Sequence, residues 1–446
     1  MNTQDKGVFS KSNLRILLLF GLVGQIAWSV ENMYFNLFVF ETISPDLSAV
    51  TLMVQLSGIV ATVVTLFAGT LSDKFGNRRA FISLGYAIWG VSVALFGFVS
   101  PQLVSRIFNT DSLKSVSIAL ALVIIGDCIM TVFGSSANDA AFNAWVTDNT
   151  TPQNRGTIEG IVAILPLIAM LIVAGGFGIL VSLIGYKLLF LFLGFIISAC
   201  GIYGIFKIKD NERLVASGAV KDIFFGFRPS SVKENKIFYI ALVIVLIYGI
   251  SCQIFMPYMI IYMKTYLSFS VVEYSVVFGF AILLGALVNI YLTRLSDRMD
   301  KSKLLYPAAI VMALGLMGMY ISRSESKTVN LILFGLSGLV MIIGYIFISA
   351  LTGSIIRDNT PDGAVGKLQG VRMVFAVLIP MVVGPLIGNS INKARNIPLP
   401  DAASPDTMTT LYIPAPEIFL VASAFLLLVF FVIPFLVRKT GDKNIK

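Results

Sequence analysis

Ten separate stretches of 19 or more residues contain no Asp, Glu, Lys or Arg: 47–72, 80–105, 160–186, 188–206, 237–263, 274–293, 304–322, 328–356, 373–392 and 418–437. A helix needs about 20 apolar residues to cross the hydrocarbon core of a bilayer, and a charge at its centre costs at least about 2.5 kcal/mol. Each stretch therefore predicts a membrane span. Two more, 16–40 and 115–138, are as apolar but are interrupted once each, by Glu31 and by Asp127. The expected fold is an all-α membrane protein with twelve transmembrane helices. Charged residues make up only 13% of the chain, about half the share of a soluble domain. That excludes a large soluble enzyme, a disordered chain and a nucleic-acid-binding domain.

Twelve spans put both ends of the chain on one side of the membrane. That side carries 25 of the 33 Lys and Arg residues, against eight on the other. It is called the basic side below. By the positive-inside rule it is expected to be cytoplasmic, in a cell membrane. The net charge of +9 thus expresses topology, with weak attraction to anionic headgroups of the lipid bilayer as a by-product. No nucleic-acid partner is implied. The first apolar run is too long for a signal-peptide core, so it is expected to stay in the protein.

Cys128, Cys200 and Cys252 all fall inside spans and read as small apolar packing residues rather than a disulfide or metal-ligand set. No metal and no cofactor is expected. The chain has no histidine, so a proton moved by a side chain near neutral pH would ride on a carboxyl group.

The longest charged stretch, 207–236, sits astride the midpoint. It divides the chain into an N-terminal six-helix half (1–206), a cytoplasmic linker and a C-terminal six-helix half (237–446). Short sequences repeat across it. Leu71-Ser72-Asp73-Lys74 follows span 2, and Leu295-Ser296-Asp297-Arg298 follows span 8. Asp148-Asn149-Thr150 follows span 4, and Asp358-Asn359-Thr360 follows span 10. Two pseudo-symmetric halves with matching loops are the plan of an alternating-access carrier.

Gly69, Leu71, Asp73, Lys74, Gly76 and Arg78 resemble the loop signature between spans 2 and 3 of the major facilitator superfamily, departing from it at Asn77. Within that superfamily, Gly24-Gln25-Ile26-Ala27-Trp28, the stretch 140–156 and Gly76 to Ile82 resemble the glycoside-pentoside-hexuronide cation symporters and sucrose transporters. The resemblance implies a secondary transporter, with acids on spans 1 and 4 that contact a sugar and its coupling cation. Sodium-coupled members carry acids on span 2. This chain has none between Leu47 and Ser72, which favours the proton.

Glu31 and Asp127 are the expected coupling pair, each about ten residues from the end of its span opposite the basic side and hence at similar depth. Carboxyl groups in low dielectric hold a proton more readily than in water. The alternative is that both are packing acids. At 100° per residue Asp127, Thr131, Gly134, Asn138 and Trp145 share a stripe on span 4, while Trp28, Glu31, Phe35 and Phe38 cluster on span 1. An aromatic surface beside a carboxyl suits a sugar, although such stripes also serve packing. The expected cavity set is Trp28, Gln25, Asn32, Thr131, Asn138, Gln253, Tyr258, Tyr345 and Arg372. Arg372 would either counter the acids or snorkel to the interface. Asp73, Lys74, Gly76, Arg78, Asp148, Arg155, Glu159, Asp297, Arg298 and Asp358 are expected to form a gate on the cytoplasmic side.

The leading expectation is a monomer taking up a small-molecule sugar or glycoside with a proton. A proton-driven exporter of drugs or metabolites would use the same acids. A polytopic enzyme or receptor is the more distant alternative, lacking a nucleophile elbow or a phosphate loop in the sequence.

Overall fold

The computed structural model describes residues 10–150, 155–210, 226–296, 299–360, 365–399 and 411–444. Apart from an isolated bridge between Pro398 and Tyr412, the described residues form helices and loops. The spanning helices are α1 (Lys11–Ile43), α2 (Leu47–Ser72), α3 (Arg78–Phe96) and α4 (Ser112–Asp148). A continuous helical stretch, Ile161–Lys207, is long enough to cross twice. It breaks at Gly185, whose φ of 75° and ψ of 165° lie outside the range of ordinary L-residues. The part before this turn is α5 and the part after it α6. Then follow α7 (Lys236–Thr265), α8 (Val271–Leu292), α9 (Lys301–Ile321), α10 (Lys327–Asp358), α11 (Gly370–Arg395) and α12 (Glu417–Lys439). The eleven long helices thus make the twelve passes read from the sequence.

Four helices contain wider π turns partway. These occupy Glu31–Phe35 and Val39–Ile43 in α1, Ser135–Phe142 in α4, Val173–Phe177 in α5 and Val374–Leu378 in α11. Such turns carry one extra residue and rotate all that follows to a new face, and they recur at functional sites.

Contacts group the chain into two units. Unit 1 is Met1–Phe35 with Val60–Ile223, and unit 2 is Asn36–Ile59 with Phe224–Lys446. Unlike the halves read from the sequence, this division places the end of α1 and the start of α2 with the C-terminal helices. In unit 1, α3 and α6 approach backbone to backbone at Gly90 and Gly194, where an added Cβ would lie 2.3 Å from the facing carbonyl. Small residues at such crossings are the usual means of packing helices in lipid, where hydrophobic exclusion is weak. In unit 2, α12 locks to its neighbours through polar atoms: Ser251 of α7 donates to the Ala422 carbonyl, and Ser423 donates to Ala313 of α9.

Candidate functional site

Glu31 opens the first π turn of α1 and is only 8% exposed; Asp127 on α4 is 1% exposed. Thr131, one turn beyond Asp127 and fully buried, joins them. Its hydroxyl bonds back to the Asp127 carbonyl at 2.9 Å and lies 3.4 Å from Glu31 Oε1. Both acids act electrostatically on the Cys128 thiol, which marks a shared neighbourhood. The structure therefore brings Glu31, Asp127 and Thr131 together inside unit 1.

Trp28 stands one turn closer to the basic side. Its indole packs on Trp89 of α3, with centroids 5.0 Å apart, and fits against Gly134 of α4. Gln25, Trp28 and Asn32, spaced three and four apart, share the α1 face that remains partly or wholly exposed, and Asn32 donates to the Trp28 carbonyl. The other aromatic residues of the α1 stripe turn elsewhere. Phe35 stacks on Phe96 at 4.3 Å and meets Phe190 edge-on, so it is packing, and Phe38 belongs to unit 2.

Helix α4 runs ten residues past the end of the apolar run read as its span. Ser135–Phe142 winds as a π turn, so the expected single stripe does not continue. Trp145 instead donates to the Lys209 carbonyl. Asn138 accepts from Tyr86 of α3 at 2.8 Å, and Tyr86 also bonds the Phe20 carbonyl. The extension contains an acid the sequence reading missed. Asp139 accepts from Ser135 at 3.1 Å and from Asn138 at 3.0 Å. Its position immediately after the apolar run was the available signal, taken there as the end of the span.

In unit 2, Tyr258 is wholly buried, bonded to Thr51 at 2.7 Å and to the Pro385 carbonyl at 2.9 Å. It belongs to a clasp holding 36–59 to α7 and α11. Gln55 donates to the Val382 carbonyl, Asn389 donates to Ser48, Tyr412 donates to Asn389, and Glu41 pairs with Lys264. Gln253 packs against Gly384. Tyr345 meets Tyr248 edge-on at 6.2 Å; the Tyr248 hydroxyl faces Ser349 and Thr352, with exposed Arg372 within electrostatic reach. Tyr248 was not singled out from the sequence, where it is one of several tyrosines in its span.

On the basic side, Gly76 turns the chain from α2 into α3 with φ 59°, and Asn77 caps α3 by accepting from the Ala80 amide. Arg78, 5% exposed, pairs with Asp148 at 3.1 Å and bonds Ser72, tying together the ends of α2, α3 and α4. Unit 2 repeats the arrangement: Lys301 at the start of α9 pairs with Asp358 at the end of α10 at 3.0 Å. Both bonds lie within a unit. Lys74 is exposed. Asp297 and Arg298 lie outside the described residues, as do the side chains of Asp73, Arg155 and Glu159. Among the described residues no group of three His, Cys, Asp or Glu side chains is placed to hold a metal ion.

The family model described as Major Facilitator Superfamily matches residues 17–385, well over half the chain. The chain belongs to the major facilitator superfamily. A search of curated proteins finds no match. Among solved structures, the superfamily fold recurs in a point mutant of the nucleoside transporter NupG at 12% identity and a TM-score of 0.68, covering 96% of this chain and 100% of that one. It recurs also in a bacterial homolog of the human lysosomal transporter Spinster, inward-facing and unoccupied. That match has 13% identity and a TM-score of 0.62, covering 96% of this chain and 95% of that one. At these identities the likeness is one of fold. This superfamily member is a multi-pass membrane transporter of small molecules, not an enzyme.

Proposed function

We infer that this transporter takes up a sugar or glycoside together with a proton, by alternating access, in a cell membrane with both termini cytoplasmic. The observation that carries the proton is the placement of two carboxyl groups in one buried neighbourhood: Glu31 is 8% and Asp127 1% exposed, and Thr131 bonds back to the Asp127 carbonyl and lies 3.4 Å from Glu31 Oε1. Two carboxyl groups sharing a low-dielectric site favour retention of a proton by one of them. Substrate binding beside Glu31 would favour one protonation state, and movement of the units would carry proton and substrate together.

The substrate class rests on the α1 face next to Glu31. Gln25 and Asn32 supply neutral donors and acceptors, and Trp28 an apolar ring able to lie on sugar C–H groups. The short stretches shared with the glycoside-pentoside-hexuronide and sucrose carriers support the same class. A nucleoside, the substrate in the name of one structural neighbour, is itself an N-glycoside and belongs in the test panel.

The test is external pH in proteoliposomes of the purified protein at clamped potential, on addition of mono-, di- and oligosaccharides and nucleosides. Alkalinisation by one class, abolished in Glu31→Gln or Asp127→Asn, is expected. Silence to the whole panel, with proton release provoked by lipophilic cations, would overturn sugar uptake in favour of an exporter.

A further inference from the structure

Asp139 has no part in the reading above, yet it stands in the same helix as Asp127 and on a shared series. Oxygen-bearing side chains recur at every fourth position of α4: Asp127, Thr131, Ser135, Asp139. In an α-helix a four-residue step drifts about 40° around the axis. The π turn begins at Ser135; its wider winding turns fewer degrees per residue and opposes that drift. Thr131 bonds back toward Asp127, and Ser135 donates forward to Asp139 Oδ2.

The surroundings of Asp139 are polar. Asn138 donates to its Oδ1. From α1, the Trp28 indole N–H, buried without a completed hydrogen bond, faces the same carboxyl. From α3, the titratable Tyr86 lies within electrostatic reach of it, and Cys200 of α6 lies within electrostatic reach of Tyr86. Among the described residues no Lys or Arg forms an ion pair with Asp139. Trp28 thus contacts the neighbourhoods of both acids, one turn from Glu31 and facing Asp139.

We propose that Asp139 is the release station for the coupling proton, on the path from the Glu31 and Asp127 pair to the basic side. This rests on the proton-coupled reading. In the step, the carboxylic acid of Glu31 or Asp127 becomes carboxylate as the Asp139 carboxylate becomes the acid, and Asp139 then returns the proton to water on the basic side. Charge is conserved; Asp127 and Asp139 stand about 18 Å apart along the helix, so hydroxyl groups and water relay the proton between them. Exchange of substrate across the membrane needs no release of the proton, whereas net uptake does.

Two measurements decide it. Without any substrate, infrared difference spectra of the purified protein on acidification should contain a carboxyl C=O band that disappears in Asp139→Asn and shifts in Asp139→Glu. Identical spectra in wild type and Asp139→Asn would overturn the proposal, even if the wild type transports no sugar and the uptake reading has failed. In proteoliposomes, with a radiolabelled form of the panel compound that alkalinises the wild-type medium, Asp139→Asn should keep exchange within about twofold. Proton-driven accumulation should fall about tenfold or more, with a flattened pH profile, and Asp139→Glu should restore both. Equal loss of exchange and accumulation, or loss of neither, would make Asp139 a packing residue.

Discussion

At Gly24, α1 packs closely against Asn138 and Tyr86 of unit 1, and Gly24→Ala tests that packing. An added Cβ would lie 2.4 Å from Asn138 Oδ1 and 2.5 Å from the Tyr86 hydroxyl. Ordinary contact requires both atoms to retreat by roughly 1 Å. Neither is free to swing. Tyr86 is tied at 2.8 Å to the Phe20 carbonyl and to Asn138, and its ring is held between Phe20 and Trp89. Loosening two buried hydrogen bonds at about 1–3 kcal/mol each, with overpacking of about 1–3 kcal/mol, outweighs the gain of about 1 kcal/mol in helix propensity. A net loss of about 2–8 kcal/mol is expected.

Thermal unfolding of the purified variant in detergent should fall by at least about 2 °C. The control is Gly353→Ala in α10, where a Cβ meets nothing within 4 Å and unfolding should not fall. A second check is a cycle with Asn138→Ala, which removes the nearer obstacle and unties Tyr86 from it. The double variant should be less destabilised than the sum by about 1 kcal/mol or more. Gly24→Ala unfolding within about 1 °C of the control, or strict additivity, would refute the close approach.

The two basic-side ion pairs should differ despite their equivalent positions. Arg78→Ala removes the buried member of its pair with Asp148, whose side chains are 6% and 26% exposed, and should cost about 2–3 kcal/mol. Lys301→Ala, whose pair is 31% and 55% exposed, should cost about 1 kcal/mol or less; equal shifts in unfolding temperature would contradict the burial difference. Tyr258→Phe should weaken the clasp by about 1–3 kcal/mol, because the Pro385 carbonyl loses its buried donor. Hydrogen exchange in 36–59 should then quicken about 5- to 150-fold, and unchanged protection would show that the clasp does not depend on this hydroxyl.

The number of passes, the repeat and the two intramembrane acids were legible in the chain itself, because transfer of a segment into lipid is a local sum over its residues. Glu31 and Asp127 stood out as the single interruptions of two apolar runs for the same reason. What that sum does not contain is the rotation of one helix against another. The π turn at Ser135 ends the stripe drawn at 100° per residue and extends α4 through Asp139, which charge counting had set outside the span. The aromatic stripe on α1 divides for the same cause, Trp28 meeting Trp89 while Phe35 turns to Phe96. Tyr258 was read as a cavity residue from its polarity within an apolar run. Its bonds to Thr51 and Pro385 join residues more than a hundred positions apart, and a segment's own hydropathy carries no record of such a partner. The sequence by itself therefore determined which segments enter the membrane and where a carboxyl interrupts them. Only the tertiary structure decided which side chains meet, because a hydrogen bond depends on ångström-scale approach and helix phase rather than on composition.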